Sequence, residues 1–317
     1  MKNKELKIIF AGTPTFAVPT LEAIYESGYD IPLVLTQPDR KSGRGMNKKP
    51  SPIKEKAKEY NIPVYQPEKL EGNEVIKKIT STKADILVVA AYGLIIPSKI
   101  LDIFVKGSYN VHASLLPAWR GAAPVHRAIE AGDSKTGVTI MFIAPELDSG
   151  DILRKKIINL NEDSTTGQVT EKLSKLGAEL MTKVLNDICG NKKLKFIPQI
   201  QSMATYAKKI NKSEAKIIWK ALTSKVLVCK INAFNPNPGA FCFFRGKILK
   251  IWKANIASNI HKIETGKLFV PPKEQSIYAG TIDGAIEIIL LQLEGKRKMT
   301  AKEFIVANKI NDEDFLL

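Results

Sequence analysis

The chain has 317 residues, 44% hydrophobic and 25% charged, a globular composition that excludes a disordered tail protein and suits two domains. No apolar run approaches the roughly 18 residues that a membrane span requires, so no membrane partner is expected. The net charge of +16, from 48 basic against 32 acidic residues, points away from a cationic partner and toward a polyanion.

The start, Met1 to Lys7, lacks the apolar core of a signal peptide, and a bacterial cytoplasmic location is expected. Lys7–Ala11 is a short β-branched run, turned by Gly12-Thr13-Pro14 into helix-spaced apolar residues over Phe16–Ser27. Further strands are expected at Ile31–Thr36, Asp85–Ala91, Tyr109–Ala113, Gly137–Ile143 and Ile152–Ile158, with a helix near Pro124–Ala131. Repeated βα units imply an α/β, Rossmann-like, mostly parallel sheet with helices on both faces. Asp163-Ser164 is then expected to cap a long helix. Its buried stripe is Val169, Leu173, Leu176, Leu180, Val184 and Ile188.

A polar stretch follows Gly190, and residues 191–205 read as a linker between a first domain of 1–190 and a second of 206–317. Ser224–Phe234 fits one helix. Ala240–Phe244 and Ile248–Lys253 flank Arg245-Gly246, and Ile277–Thr281 and Ala285–Leu293 flank Asp283-Gly284, as two hairpins. Short antiparallel strands with one helix suggest a small OB-like barrel. Between Lys208 and Lys253 eleven basic residues stand against one acid, Glu214. Lysine richness can follow from genome base composition, but a stretch this one-signed suggests nucleic acid.

Three cysteines (Cys189, Cys229, Cys242) give neither a disulfide framework nor metal spacing, and with three histidines no metal site is expected. The Gly12-Thr13-Pro14 turn lacks G-x-G-x-x-G, which argues against nicotinamide chemistry. Asn110 and His112, two apart on one strand, project to the same face near its C-terminal end, where open α/β sheets place ligands. Asp148 follows another buried strand in Glu146-Leu-Asp-Ser-Gly-Asp151. Spacing alone leaves it open whether Asp148 makes a turn or serves a site. His126 and His261 carry no such context and read as structural or surface residues.

The segments Asn110-Val-His-Ala-Ser-Leu-Leu-Pro-Ala-Trp-Arg-Gly-Ala-Ala-Pro124 and Leu147-Asp-Ser-Gly-Asp151 resemble the formyltransferase family that uses 10-formyltetrahydrofolate. Ala90-Ala-Tyr-Gly-Leu-Ile-Ile-Pro97 fits that family's folate-side loop. Thr36-Gln-Pro-Asp-Arg-Lys-Ser-Gly-Arg-Gly45, with Pro50-Ser-Pro-Ile-Lys54, is similar to the basic loop of the branch that formylates methionyl-initiator tRNA. Tyr206-Ala-Lys-Lys-Ile210, Phe234-Asn-Pro-Asn-Pro-Gly-Ala-Phe241 and Leu291-Gln-Leu-Glu-Gly-Lys-Arg-Lys-Met-Thr-Ala301 are like its second domain. Asn237 departs from the family's usual aromatic at that place.

The resemblance implies a catalytic set of Asn110, His112 and Asp148, and folate contacts from Ser114, Leu115, Leu116, Pro117, Tyr92 and Gly93. It implies tRNA contacts from Arg40, Lys41, Arg44, Lys48 and Lys49, with 10-formyltetrahydrofolate as co-substrate, no metal and a monomeric enzyme. Three rivals stand beside this reading: a formyltransferase for sugar nucleotides, an RNA-binding protein with an inactive enzyme domain, and a folate-dependent formyl hydrolase. The basic loop and basic barrel argue against the first and third. The intact Asn110, His112 and Asp148 argue against the second.

Overall fold

The computed structural model describes residues 4–42, 47–258, 260, 263–272, 275–311 and 314–317. Strands β1 (Lys4–Gly12) and β2 (Tyr29–Leu35) are followed by a short hairpin, β3 (Arg40–Ser42) and β4 (Asn47–Lys49). Then come β5 (Val64–Tyr65), β6 (Ile86–Ala90), β7 (Ser108–His112), β8 (Arg120–Gly121), β9 (Lys135–Phe142), β10 (Ile152–Asn159) and β11 (Tyr206–Ala207). Seven of these form one sheet in the order β10-β9-β7-β6-β1-β2-β5. From β5 to β7 neighbours run parallel, and β9 lies antiparallel to β7.

The helices are α1 (Val18–Glu26), α2 (Pro52–Glu59), α3 (Asn73–Thr80), α4 (Ser98–Leu101), α5 (Pro124–Glu130) and α6 (Thr166–Cys189). All five residues of β6 are buried, as expected of a central parallel strand covered on both faces. On one face Ile9, Leu33, Leu87 and Val89 join Val75 and Ile79 of α3 and Ile100 of α4 in one core. The alternate residues Ile8, Phe10, Ile86 and Val88 are fully buried on the other.

The long helix starts one residue later than its expected cap. Gln168 N–H donates to the Thr165 hydroxyl at 3.4 Å, and Thr165 N–H donates to Gln168 Oε1 at 3.1 Å, a capping box. Ser164 cannot build one, because Gly167 stands three residues on with no side chain to return. Its hydroxyl accepts instead from Asn161 N–H. Of the predicted stripe, all but Leu176 are buried, and Leu176 is half-buried.

Internal packing divides the chain into two units. The first is Met1–Pro124, Thr136–Ile158 and Thr170–Lys208; the second is Val125–Lys135, Asn159–Val169 and Lys209–Leu317. Residues 191–205, a linker by composition, make specific bonds within the first unit. Ile197 bridges Ile152, and the Thr205 carbonyl accepts from Arg120 N–H at 2.8 Å.

In the second unit α7 (Ser224–Ala233) precedes β12 (Phe241–Phe244), β13 (Lys247–Ile256), β14 (Leu268–Phe269), β15 (Ile277–Gly280), β16 (Ala285–Leu293), β17 (Met299–Thr300) and α8 (Ala301–Asn308). The strand order is β12-β13-β16-β15-β14, with β17 on β16, and all pairings are antiparallel. Arg245 and Gly246, both at positive φ, make the tight β12–β13 turn that the sequence predicts. The sheet's two edges are joined by the last residues. Leu317 exchanges backbone bonds with Phe243, while Leu316 N–H bonds Gly266 and Asp314 accepts from Leu268 N–H. The C-terminal segment thus covers both open edges and curls the sheet into the OB-like barrel.

Candidate active site

β7 packs against α6 on one face and carries its polar pair on the other. Val111 points toward α6, where Gly177 lets the helix approach: a Cβ there would lie 2.5 Å from Val111 Cγ1. Asn110 and His112 therefore point to the opposite face. Their cross-strand neighbours on β9 are Met141 and Thr139. Thr139 fixes the loop that leaves the strand. Its hydroxyl donates to Ser114 O at 2.6 Å and accepts from Leu116 N–H at 3.2 Å.

His112 is 5% exposed. Its Nε2 lies 3.0 Å from the Trp119 carbonyl, which can only accept, so Nε2 carries a proton in this arrangement. Its Nδ1 faces Asp148 Oδ2 at 3.6 Å, close enough for charge attraction but too long for a hydrogen bond. The same Asp148 oxygen accepts from Gly121 N–H at 2.8 Å. Both ring nitrogens therefore face acceptors. Asp148 adopts a left-handed backbone, φ 47°, in the turn that brings it back to the end of β7. The Asn110 amide is half-buried and has no hydrogen-bond partner among the described residues.

The expected folate residues divide by exposure. Ser114 and Leu116 are fully buried: the Ser114 hydroxyl donates to Ala118 O at 2.6 Å, and Leu116 packs with Met141 and Ile152. Leu115 and Pro117 are half-exposed and so available to a ligand. Lys155 donates to the Leu116 carbonyl, and burial pushes its amine below the ordinary lysine range. Tyr92 is buried in the core, and burial raises its phenol. Its carbonyl accepts from the Thr13 hydroxyl at 2.8 Å and Gln37 Nε2 at 2.9 Å. Gly93 is exposed, with φ 81°, and a Cβ there would fall 2.4 Å from Gln37 Nε2.

The basic segment is a hairpin where it is described. Its register sets Arg40 opposite Lys49 and Lys41 opposite Lys48, like charges directly across a strand pair. Such pairs are destabilising unless an anion neutralises them. Arg40 donates to Gln37 Oε1 at 2.7 Å, and Lys48 and Lys49 are exposed. At the hairpin's base Lys54 bonds Asp39 at 2.6 Å, and with Gln66 it holds that carboxyl below the usual aspartate range. Arg44 and His261 lie outside the described residues. His126 donates to the Asn237 carbonyl at 3.2 Å, a structural bond within the second unit. No group of three or more His, Cys, Asp or Glu suited to a metal occurs among the described residues.

Two further residues belong to the site's frame and escaped the sequence reading. Arg120, 2% exposed, sits inside a segment quoted for its motif, but its chemistry gave no local signal. Gln199, 8% exposed, stands in a stretch whose polarity reads as a linker.

The model of the formyl transferase family matches residues 6–185, and that of its C-terminal domain matches residues 209–309. The chain is 43% identical to a methionyl-tRNA formyltransferase of Methylobacillus flagellatus, over 96% of this chain and 97% of that one. It is also 43% identical to one of Methylococcus capsulatus, over 96% and 98%. Among solved structures it is similar to a sugar 3N-formyl transferase studied with dTDP and 5-N-formyl-THF. That match has a TM-score of 0.65, 22% identity, and covers 92% of this chain and 99% of that one. It is also similar to HypX of Aquifex aeolicus in complex with tetrahydrofolic acid, with a TM-score of 0.62, 15% identity, and 94% and 46% coverage. At those identities the likeness is one of fold.

Proposed function

The chain belongs to the methionyl-tRNA formyltransferases, and from that premise we propose which of its residues carry the transfer and how. The reaction moves a formyl group from 10-formyltetrahydrofolate to the α-amine of methionine on initiator tRNA, in the bacterial cytoplasm where translation begins. One observation carries the assignment. Asn110 and His112 share one face of β7, and a distant turn returns Asp148 to the His112 ring.

The amine attacks the formyl carbon, and the resulting tetrahedral centre bears a negative oxygen. Asn110, whose amide is not engaged by the described residues, donates to that oxygen. The amine must lose a proton and the folate nitrogen must gain one. His112 serves both steps, because imidazole exchanges protons near neutral pH. With Nδ1 turned to Asp148, Nε2 is the nitrogen that handles the proton. The Trp119 carbonyl is then the group that the reacting nitrogen displaces or shares. Asp148 stabilises the imidazolium, and its 3.6 Å separation shortens as the substrates close the site.

The half-exposed Leu115 and Pro117 and the exposed Gly93 offer the folate its contacts, whereas Ser114, Leu116 and Tyr92 shape the wall from within. The Arg40–Lys49 hairpin and the basic barrel hold tRNA phosphates. The hairpin's like-charged register and the eleven basic residues against one acid between Lys208 and Lys253 suit a polyanion better than a sugar nucleotide. Incubating the protein with methionyl-tRNA and 10-formyltetrahydrofolate tests the reading. Formyl-methionyl-tRNA is the expected product, and transfer to an amino-sugar nucleotide instead would overturn the tRNA assignment.

A further inference from the structure

Asp148 holds a strained backbone, with φ 47°. Residues at positive φ other than glycine persist where the surroundings over-determine them. Here the over-determination comes from residue 199. Gln199 Nε2 donates to the Asp148 carbonyl at 2.9 Å and to the Gly150 carbonyl at 2.7 Å, gripping the turn at two points. Gly150 is equally constrained, since a Cβ there would lie 2.0 Å from the Phe142 carbonyl.

The Gln199 amide is itself oriented. Arg120 donates to its Oε1 from Nε at 3.1 Å and Nη2 at 2.8 Å, and from Nη1 to Gln201 Oε1 at 2.9 Å. Arg120 forms no ion pair with a carboxylate among the described residues. A buried guanidinium held by neutral acceptors is a poor stabiliser compared with apolar packing. What it supplies is direction: a planar fork on one side of the amide leaves both amide donors facing the Asp148 turn. The next residue, Gly121, donates its N–H to Asp148 Oδ2, so the same short strand fixes the carboxylate from its other end.

We propose that Gln199, oriented by Arg120, is a positioning residue for formyl transfer, setting the separation of Asp148 from His112. This rests on the catalytic reading of that pair. The competing possibility is that the clamp only ties residues 199–207 to the sheet.

Gln199→Glu separates the two. It keeps oxygens for Arg120 and removes both donors to the turn. The expected result, in the full-length protein, is a kcat lower by roughly 10- to 100-fold, the range for a catalytic group misplaced by about an ångström. KM for both substrates should stay within about twofold, because the lesion acts on the transition state. In an Asp148→Asn background the same substitution should have no further effect. Gln199→Met, taken through the same cycle, replaces it if the Glu variant does not fold. Full multiplicative loss in the Asp148→Asn background, or a loss that appears in KM and not in kcat, would overturn the proposal. So would unchanged turnover in Gln199→Glu while Asp148→Asn is impaired. Wild-type turnover in Asp148→Asn would instead remove the catalytic reading on which it rests.

Discussion

The turn at Asp148 and the basic surface of the second unit use charge in opposite ways. At the turn, His112 and Arg120 are buried, Asp148 is half-buried, and they are matched: His112 by Asp148 and the Trp119 carbonyl, Arg120 by two glutamines. On the second unit Lys209, Lys212, Lys220, Lys225, Lys247 and Lys253 are all exposed, and none pairs with a carboxylate among the described residues. Burial gives a single group leverage, because its partners are fixed and solvent cannot screen it. Exposure makes each cation nearly dispensable and the sum strongly dependent on salt. On the proposed reading, chemistry concentrates in a few side chains, while attraction of the nucleic acid is spread over many.

The sharpest way to break that contrast is His112→Ala. Turnover should fall by roughly 10²–10⁴, the usual contribution of a positioned acid–base group, with little change in substrate binding. Steady-state kinetics at two salt concentrations should give the same relative loss. A loss that varied with salt would place His112 among the attracting charges. Asp148→Asn should lower kcat by about 10²-fold, and the double variant should lose less than the product of the single losses. Independent, multiplicative losses would show that the pair does not act as a unit.

Arg245 gives an effect on stability rather than rate. Its guanidinium donates to both Asp314 oxygens at 2.7 Å and to the Asn308 carbonyl at 3.0 Å, securing the segment that closes the barrel. That bond holds the Asp314 carboxyl below the ordinary aspartate range. A lowered folded-state pKa stabilises above the unfolded value, and the contribution fades as pH falls through the folded one. Arg245→Ala should thus lower the melting temperature of the second unit by a few degrees near neutral pH, and by less below about pH 4. Calorimetry across that range would show it, and an equal loss at every pH would discount the carboxylate.

The smallest expected effect is that of Lys253→Ala. It should weaken tRNA binding only slightly, yet reduce the slope of log affinity against log salt by about 0.9 if it neutralises one duplex phosphate. Binding isotherms at several salt concentrations would resolve that change. A large loss with an unchanged slope would mean that Lys253 reads a base.

What the sequence determined by itself is what repeats locally. The apolar run at Ile86–Ala90, the stripe of α6 and the turn chemistry of Arg245-Gly246 each needed only near neighbours, and each folds where the pattern places it. The shared face of Asn110 and His112 is likewise a consequence of strand periodicity. Tertiary structure alone decided the rest. Asp148 could be a plain turn residue until the chain closes and sets it against His112 Nδ1. Gln199 reads as linker until it meets Arg120, and the inward turn of Ser114 and Leu116 appears only with the Thr139 bonds. The Asp314–Leu317 segment looks like a tail until it lies between two strand edges. In every such case the partner is far along the chain. Loop closure, which selects such partners, depends on how whole elements pack and leaves no mark in the local pattern of residues.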